Sequence, residues 1–400
     1  MANKKKNESE IYQNLRDGFR EYFGNVGEVK FLLSPSSIII LGDHTQYNDG
    51  IMISTAVNSY VGIAFKKKST GYTIIYDGIV YQGKPSTGFP ESNESGPVGS
   101  LINIVNNLIK ENLLTCGFAC YITNQTAKVF GLGNHAAISM GFLKALVLSS
   151  CINFSNEELV EFAVNAESEI FGPVVSKPLY YSSLGQRAGT ILYYDIRSNF
   201  RKYFTMDDKI HIVICNTQQE KENFHENCRD RILECEVGVK GLRLYIWGIK
   251  NLRDVEEKFL QRHIHMLPKR LYTRCLYNIV ERKIVEEANK DLRNNNFEKF
   301  GKKLTLTHEK LSELYEISSE IMDNLVRIAG ESKLCIGSKM VSCSYHDSTM
   351  NFVQRKDISK FADYMDKKYS SINRTALAIE DYLISEGVQQ IKSTAKPKLR

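Results

Sequence analysis

Gly42-Asp43-His44-Thr45-Gln46-Tyr47-Asn48-Asp49-Gly50 follows directly on the apolar run at residues 38–41, and it is the most informative stretch of the chain. Short polar side chains, a histidine and two glycines stand where a strand ends. Read structurally, the stretch is a strand-to-loop turn held by Asx-type hydrogen bonds. Read functionally, it is a polyol-binding loop, because carboxylate, imidazole and amide together satisfy the hydroxyls of a sugar. The residues alone leave both readings open.

On the N-terminal side of this loop, residues 28–33 and 38–41 read as two strands separated by Ser34-Pro35-Ser36-Ser37. Residues 11–23 have helical apolar spacing. Beyond the loop, strands are expected at 61–65, 72–76 and 119–123, and a Gly-, Pro- and Ser-rich loop at 82–99. Helices are expected at 101–113, 134–148 and 156–171, the last opened by Ser155 as N-cap with acids in its first turn. Strands at 190–196 and 210–215 precede a polar segment at 221–231. Residues 252–330 are almost wholly helical in pattern, with breaks near Pro268, Asn294–Asn296 and Thr307. Strand returns at 334–341, and a helix follows at 358–368. The mixture is α+β with a domain change near 199–208. The expected division is a flexible N-terminus at 1–9, domains at 10–203 and 204–390, and a flexible tail at 391–400.

The 400 residues suggest two or three domains at roughly 150 residues each. Hydrophobic residues at 42% and charged residues at 24% fit a globular chain and exclude a disordered or collagen-like one. No apolar run reaches the ~18 residues of a membrane span. The longest candidate, 136–151, is broken by Ser139 and Lys144. No membrane partner is expected, and the lysine-rich start lacks the apolar core of a secretory leader. Nine cysteines without framework spacing read as free thiols in a reducing compartment, so the expected location is cytoplasmic. His263 and His265 have no cysteine company, and no metal site is expected. The net charge of +6 is mild, and its short lysine runs are not interleaved with aromatics, so no nucleic-acid partner is expected.

Residues 34–50 resemble the galactokinase signature Pro-Gly-Arg-Val-Asn-Leu-Ile-Gly-Glu-His-Thr-Asp-Tyr-Asn-Asp-Gly. Further segments resemble that family in its own order. Gly131-Leu132-Gly133-Asn134-His135-Ala136-Ala137 is similar to its phosphate loop. Ala166-Glu167 and Asp195-Ile196-Arg197-Ser198 bracket its catalytic segment. Arg231 with Cys235-Glu236, Thr307-His308, Tyr315-Glu316-Ile317-Ser318 and Gly337-Ser338-Lys339-Met340 continue the series. The resemblance spans roughly residues 10–390 and implies a two-domain GHMP kinase fold with a ligand cleft between the domains. It also implies sugar binding at Asp43, His44 and Gln46, and nucleotide binding at Gly131, Leu132, Gly133, Asn134 and His135.

The departures bear on activity. Ser37 stands where the family has an arginine, and Leu179 where it has its catalytic aspartate. No carboxylate occurs from Phe171 to Tyr194, so no shift of register recovers one. The phosphate loop keeps Gly131 but offers Gly133, Asn134 and His135 in place of serines, and imidazole is a poor magnesium ligand. The glycine-rich third motif is replaced by residues 341–347, whose side chains are expected to crowd the phosphate space. Gln46 loses the family's charge, and Cys228 replaces its tyrosine. No catalytic residue and no metal ligand is assigned. The first reading is therefore a galactokinase-like protein without phosphoryl transfer, binding a sugar, a nucleotide or a regulatory protein partner. The alternative is a functioning sugar kinase with rearranged groups, using Lys177, His135, Asp347 or Asp43, and needing ATP and magnesium.

Overall fold

The two strands expected around Ser34-Pro35-Ser36-Ser37 are a single strand, β1 (Lys30–Leu41). Its register against β2 (Ile51–Lys68) shifts between Pro35 and Ser37, so a bulge absorbs the proline without breaking the strand. Ser34 Oγ donates to the Ala137 carbonyl at 2.5 Å and Ser183 Oγ to that of Pro35 at 2.9 Å, while Ser36 Oγ is buried with no hydrogen-bond partner. The computed structural model describes residues 2–24, 27–90, 96–124, 126, 128–221, 223–342, 344–373 and 376–391.

β2 is long because it serves two partners. Its start pairs with β6 (Thr190–Asp195) and its end with β5 (Gly117–Asn124). Among the described residues the first sheet runs β12 (Gln389–Ile391), β1, β2, β5, β3 (Tyr72–Tyr76), β4 (Ile79–Gly83), with β7 (Phe200–Thr205) joined through β6. The second sheet runs β11 (Ala378–Tyr382), β8 (Ile210–Glu220), β10 (His346–Gln354), β9 (Cys335–Met340). The chain changes sheet between β7 and β8 and returns to the first sheet with β12.

Helix α1 (Ala2–Phe23) begins inside the stretch expected to be flexible. It covers the outer face of the first sheet with Ile11, Leu15 and Phe19, spaced one turn apart, against Phe31, Leu33 and Ala64. On the inner face α3 (Leu132–Leu148) and α5 (Lys177–Gly185) lie against β1 and β2. Helices α2 (Pro97–Lys110) and α4 (Asn156–Phe171) pack outside them. Ser155 caps α4 as expected, and Glu158 closes the capping box through the Ser155 N–H at 2.7 Å.

In the second half, α6 (Phe224–Leu242), α7 (Glu257–Arg262), α8 (Lys269–Arg293) and α9 (Phe297–Glu313) share a core around Val239, Leu260, Tyr277 and Leu311. Helices α10 (Glu320–Glu331) and α11 (Ile358–Asn373) cover the second sheet with Leu325, Ile328, Phe361 and Met365. The polar segment at 221–231 is largely the start of α6. The break expected at Thr307 is absent. That residue is buried within α9, and its hydroxyl is satisfied by the Glu281 carboxylate at 3.0 Å. The cysteines are not all free: Cys116 and Cys151 form a disulfide between the start of β5 and the turn after α3. Residues 392–400 of the expected tail lie outside the described residues. The whole is α+β, and no helix among the described residues is long and apolar enough to cross a membrane.

Candidate ligand site

Leu41 ends β1, and Gly42 turns the chain at φ +89°, where a Cβ would lie 2.3 Å from the Ile51 carbonyl oxygen. Thr45 Oγ1 donates back to the Gly42 carbonyl at 2.7 Å, and His44 adopts φ 56°. The loop is thus the hydrogen-bonded turn that its composition suggests. It is also clamped to the second half of the chain. The Gly42 N–H donates to Glu281 at 2.7 Å, and the Tyr277 hydroxyl donates to the Asp43 carbonyl at 2.8 Å. Asp49 accepts from Arg197 at 3.2 Å and from Asn251 at 2.6 Å.

Asp43 is spoken for. One carboxylate oxygen faces the Lys339 ammonium and the other accepts from the Ser342 hydroxyl, with both charged side chains fully buried. Beside them, burial first and the Asp43 charge second push the Glu281 carboxyl up to about 7. Burial pulls His44 down to about 4, so its imidazole is neutral at physiological pH. His44 Nε2 and Gln46 Oε1 are buried with no hydrogen-bond partner. They belong to a cavity of about 30 Å³ lined by Asp43, His44 and Gln46 on one side. Ile39, Met52, Leu132, Val174 and Leu179 form its apolar wall. Leu179, on α5, is 1% exposed. A cavity of this size holds a water or two, since one water needs roughly 10–15 Å³ by the same measure.

The phosphate-loop segment opens α3. Gly131 has φ +44°, and Gly133 sits so close to β1 that a Cβ would come within 1.8 Å of the Ser37 carbonyl oxygen. Gly131, Asn134 and His135 face a second, larger cavity of about 860 Å³ between the two halves, with Tyr76, Phe171, Lys221 and Tyr345. Leu132 alone of the five faces the small cavity, so the residues expected to meet a sugar and those expected to meet a nucleotide line two neighbouring spaces. Tyr345 and His346 do line the large cleft, yet it remains open. The crowding expected from residues 341–347 is therefore not realised at those two positions, and Cys343 lies outside the described residues. Three carboxylates, Asp77, Glu220 and Glu226, share the cleft with Lys221. A third space of about 360 Å³ lies next to Cys228 and Ser342, with Lys221, Ser319 and Asp347 in its wall.

The remaining motif segments turn out to brace the site. Arg231 donates to the carbonyls of Tyr315 and Glu316 at 2.8 and 2.7 Å, and the Tyr315 ring lies 5.2 Å from that of His44. His308 Nδ1 accepts the Met340 N–H at 3.3 Å, beside Lys339. Asp195 and Arg197 bind Arg253 and Asp254 at the junction of the halves. Glu167 is fully buried, accepts from Ser139, and is pushed up to about 7 by burial. For a nucleotide the large cleft has the right size, since ligand pockets run to roughly 300–1,000 Å³. Among the described residues no three His, Cys, Asp or Glu side chains gather in one place; magnesium beside a nucleotide usually takes one or two carboxylates and the phosphates themselves.

The family described as the galactokinase galactose-binding signature matches residues 17–67, which carry β1, the clamped loop and β2. The galactokinase of Roseiflexus sp. (strain RS-1) is 22% identical over 96% of this chain and 98% of its own length. That of Fusobacterium nucleatum subsp. nucleatum is 24% identical over 96% of this chain and 100% of its own. The crystal structure of Lactococcus lactis galactokinase complexed with galactose superimposes with a TM-score of 0.85, at 17% identity, covering 95% of this chain and 100% of that one. This chain resembles the galactokinases along nearly its whole length. Its fold is that of the GHMP kinases: Methanococcus jannaschii mevalonate kinase superimposes with a TM-score of 0.63, at 16% identity, over 90% of this chain and 99% of its own. Within the galactokinase fold, then, the small cavity and the large cleft lie where the loop after β1 and the start of α3 meet. Lys339 and Glu281 were not found from sequence as site residues, because neither stands near the loop in the chain.

Proposed function

We propose that this galactokinase-like chain is a ligand-binding, regulatory protein that does not transfer phosphate. The observation that carries the reading is the wall formed by Leu179. It is a buried aliphatic side chain in an apolar cavity whose one carboxylate, Asp43, is already bound by Lys339 and Ser342. Phosphoryl transfer depends on positioning and on electrostatic stabilisation by metal and cationic groups. Loss of a general base alone is typically worth roughly 10²–10⁴-fold. His44 Nε2 and Gln46 Oε1 leave unmet hydrogen-bonding capacity beside the small cavity, which must widen to admit more than a water or two, and the large cleft supports a nucleotide-sized ligand. The test is ADP production with galactose and a sugar panel. Turnover near the ~1 s⁻¹ lower end of kinase rates would overturn the reading. A melting shift with sugar or nucleotide would separate a binding protein from one that binds neither.

A second reading, a functioning galactokinase-like sugar kinase, is favoured by one observation: the curated galactokinases match along nearly the whole chain. It requires Lys177, His135, Asp347 or Asp43 to supply charge and base, with ATP and magnesium as cofactors. The same turnover assay decides between the two.

A further inference from the structure

The chain has one tryptophan, Trp247, and its side chain is 98% exposed. It stands in the turn after α6 with Leu244, 79% exposed, and Tyr245, 47% exposed. The Tyr245 ring lies 5.7 Å from that of His263, which places this turn beside the exposed Ile264 and Met266 after α7. A soluble domain rarely leaves so large an apolar group together in water without a use for it. The charge around it is one-sided. Residues 240–270 contain eight basic and three acidic residues, most of the chain's net charge of +6. Lys240, Arg243, Lys250 and Arg262 among them are exposed.

We propose that this face docks the protein peripherally on an anionic lipid surface. Aromatic and aliphatic side chains at an exposed turn enter the headgroup boundary, and flanking basic side chains lie over the negative lipids. A second copy of the chain fits less well. A two-fold contact through this patch would set one basic rim against the other. The apolar side chains also stand out of the surface, as insertion into lipid requires.

Trp247 is its own reporter, because all tryptophan emission comes from this spot. The full chain is mixed with phosphatidylcholine vesicles, with and without phosphatidylglycerol, and followed by emission and co-sedimentation. The expected result is a blue shift and sedimentation with the anionic vesicles, weakened by salt. Trp247→Ser with Leu244→Ser should lower partitioning at least about tenfold, and Arg262→Gln about fivefold, with circular dichroism unchanged. Absence of a shift with both vesicle types would overturn the proposal. So would a blue shift that grows with protein concentration alone, which assigns the face to a second copy. Equal partitioning into neutral vesicles would overturn the anionic choice.

Discussion

Lys339 has no access to water, and an ammonium in that position needs a counter-charge. Asp43 supplies it, so a residue expected to meet a sugar hydroxyl also holds the interior together. Lys339→Met alone should leave the carboxylate unpaired and cost about 3–5 kcal/mol, whereas Lys339→Met with Asp43→Leu should recover most of that loss. Urea denaturation of both variants checks it. Glu281 gives a pH-dependent counterpart. An ordinary glutamate releases its proton near 4.5, and Glu281 keeps its own to about 7. Folding therefore favours the protonated form, a stabilisation fully present below 4.5 and lost as pH rises through 7. Glu281→Gln keeps an acceptor for the Gly42 N–H and has no proton to lose. Relative to the parent it should gain stability between pH 5 and pH 8, by up to about 3 kcal/mol. Melting curves of both proteins at the two pH values measure the difference. His44 offers a readout of the small cavity. If a sugar is found to bind there, His44→Ala should weaken it about tenfold, the loss of one buried hydrogen-bonding partner.

Among the elements, α3 and α5 decide whether chemistry can be rebuilt. Gly133→Ala would push α3 away from β1, since no side-chain rotation relieves a contact with the Ser37 backbone. A loss of about 1–3 kcal/mol is expected in thermal unfolding. Leu179→Asp with Ser37→Arg should not create a kinase. The aspartate would enter an apolar wall and take a raised pKa, and the altered phosphate loop would still lack the serines that position a γ-phosphate. Galactose-dependent ADP release by the folded double variant is the measurement, and turnover of ~1 s⁻¹ would show the phosphate site intact. The same elements show what a sequence reveals. α4 was readable to both ends because its signals are local: a capping box at Ser155 and an apolar period. The turn at the signature loop was readable because glycine, aspartate, asparagine and threonine are the residue types of a hydrogen-bonded turn. The bulge in β1 was not, since Pro35 and its serines imitate a loop until Ser34 finds Ala137 across the core. Thr307 misled for a similar reason, its partner Glu281 lying on another helix. The pairing of Asp43 with Lys339, and of Cys116 with Cys151, joins residues that are individually ordinary and distant in the chain.

At the scale of the whole molecule, the signature loop pins the two halves through Glu281, Tyr277 and Lys339, and β12 returns the chain to the first sheet. Truncation after Glu386 should remove β12 and strip Phe31–Leu33 of their outer partners. Faster amide exchange at those positions and a lower Tm are expected, with the second sheet's amides less affected; hydrogen exchange followed by mass spectrometry resolves the two. β12 carries a further consequence, for synthesis. Phe31 leaves the ribosome about 360 residues ahead of its partner Ile391. At about 5–20 residues per second the interval is on the order of half a minute. Throughout it one margin of the nascent sheet is open to other chains. Lys30 and Pro35 stand on that margin. A charge and a residue with no N–H to offer are what an unfinished edge needs to stay unpaired until its own strand arrives.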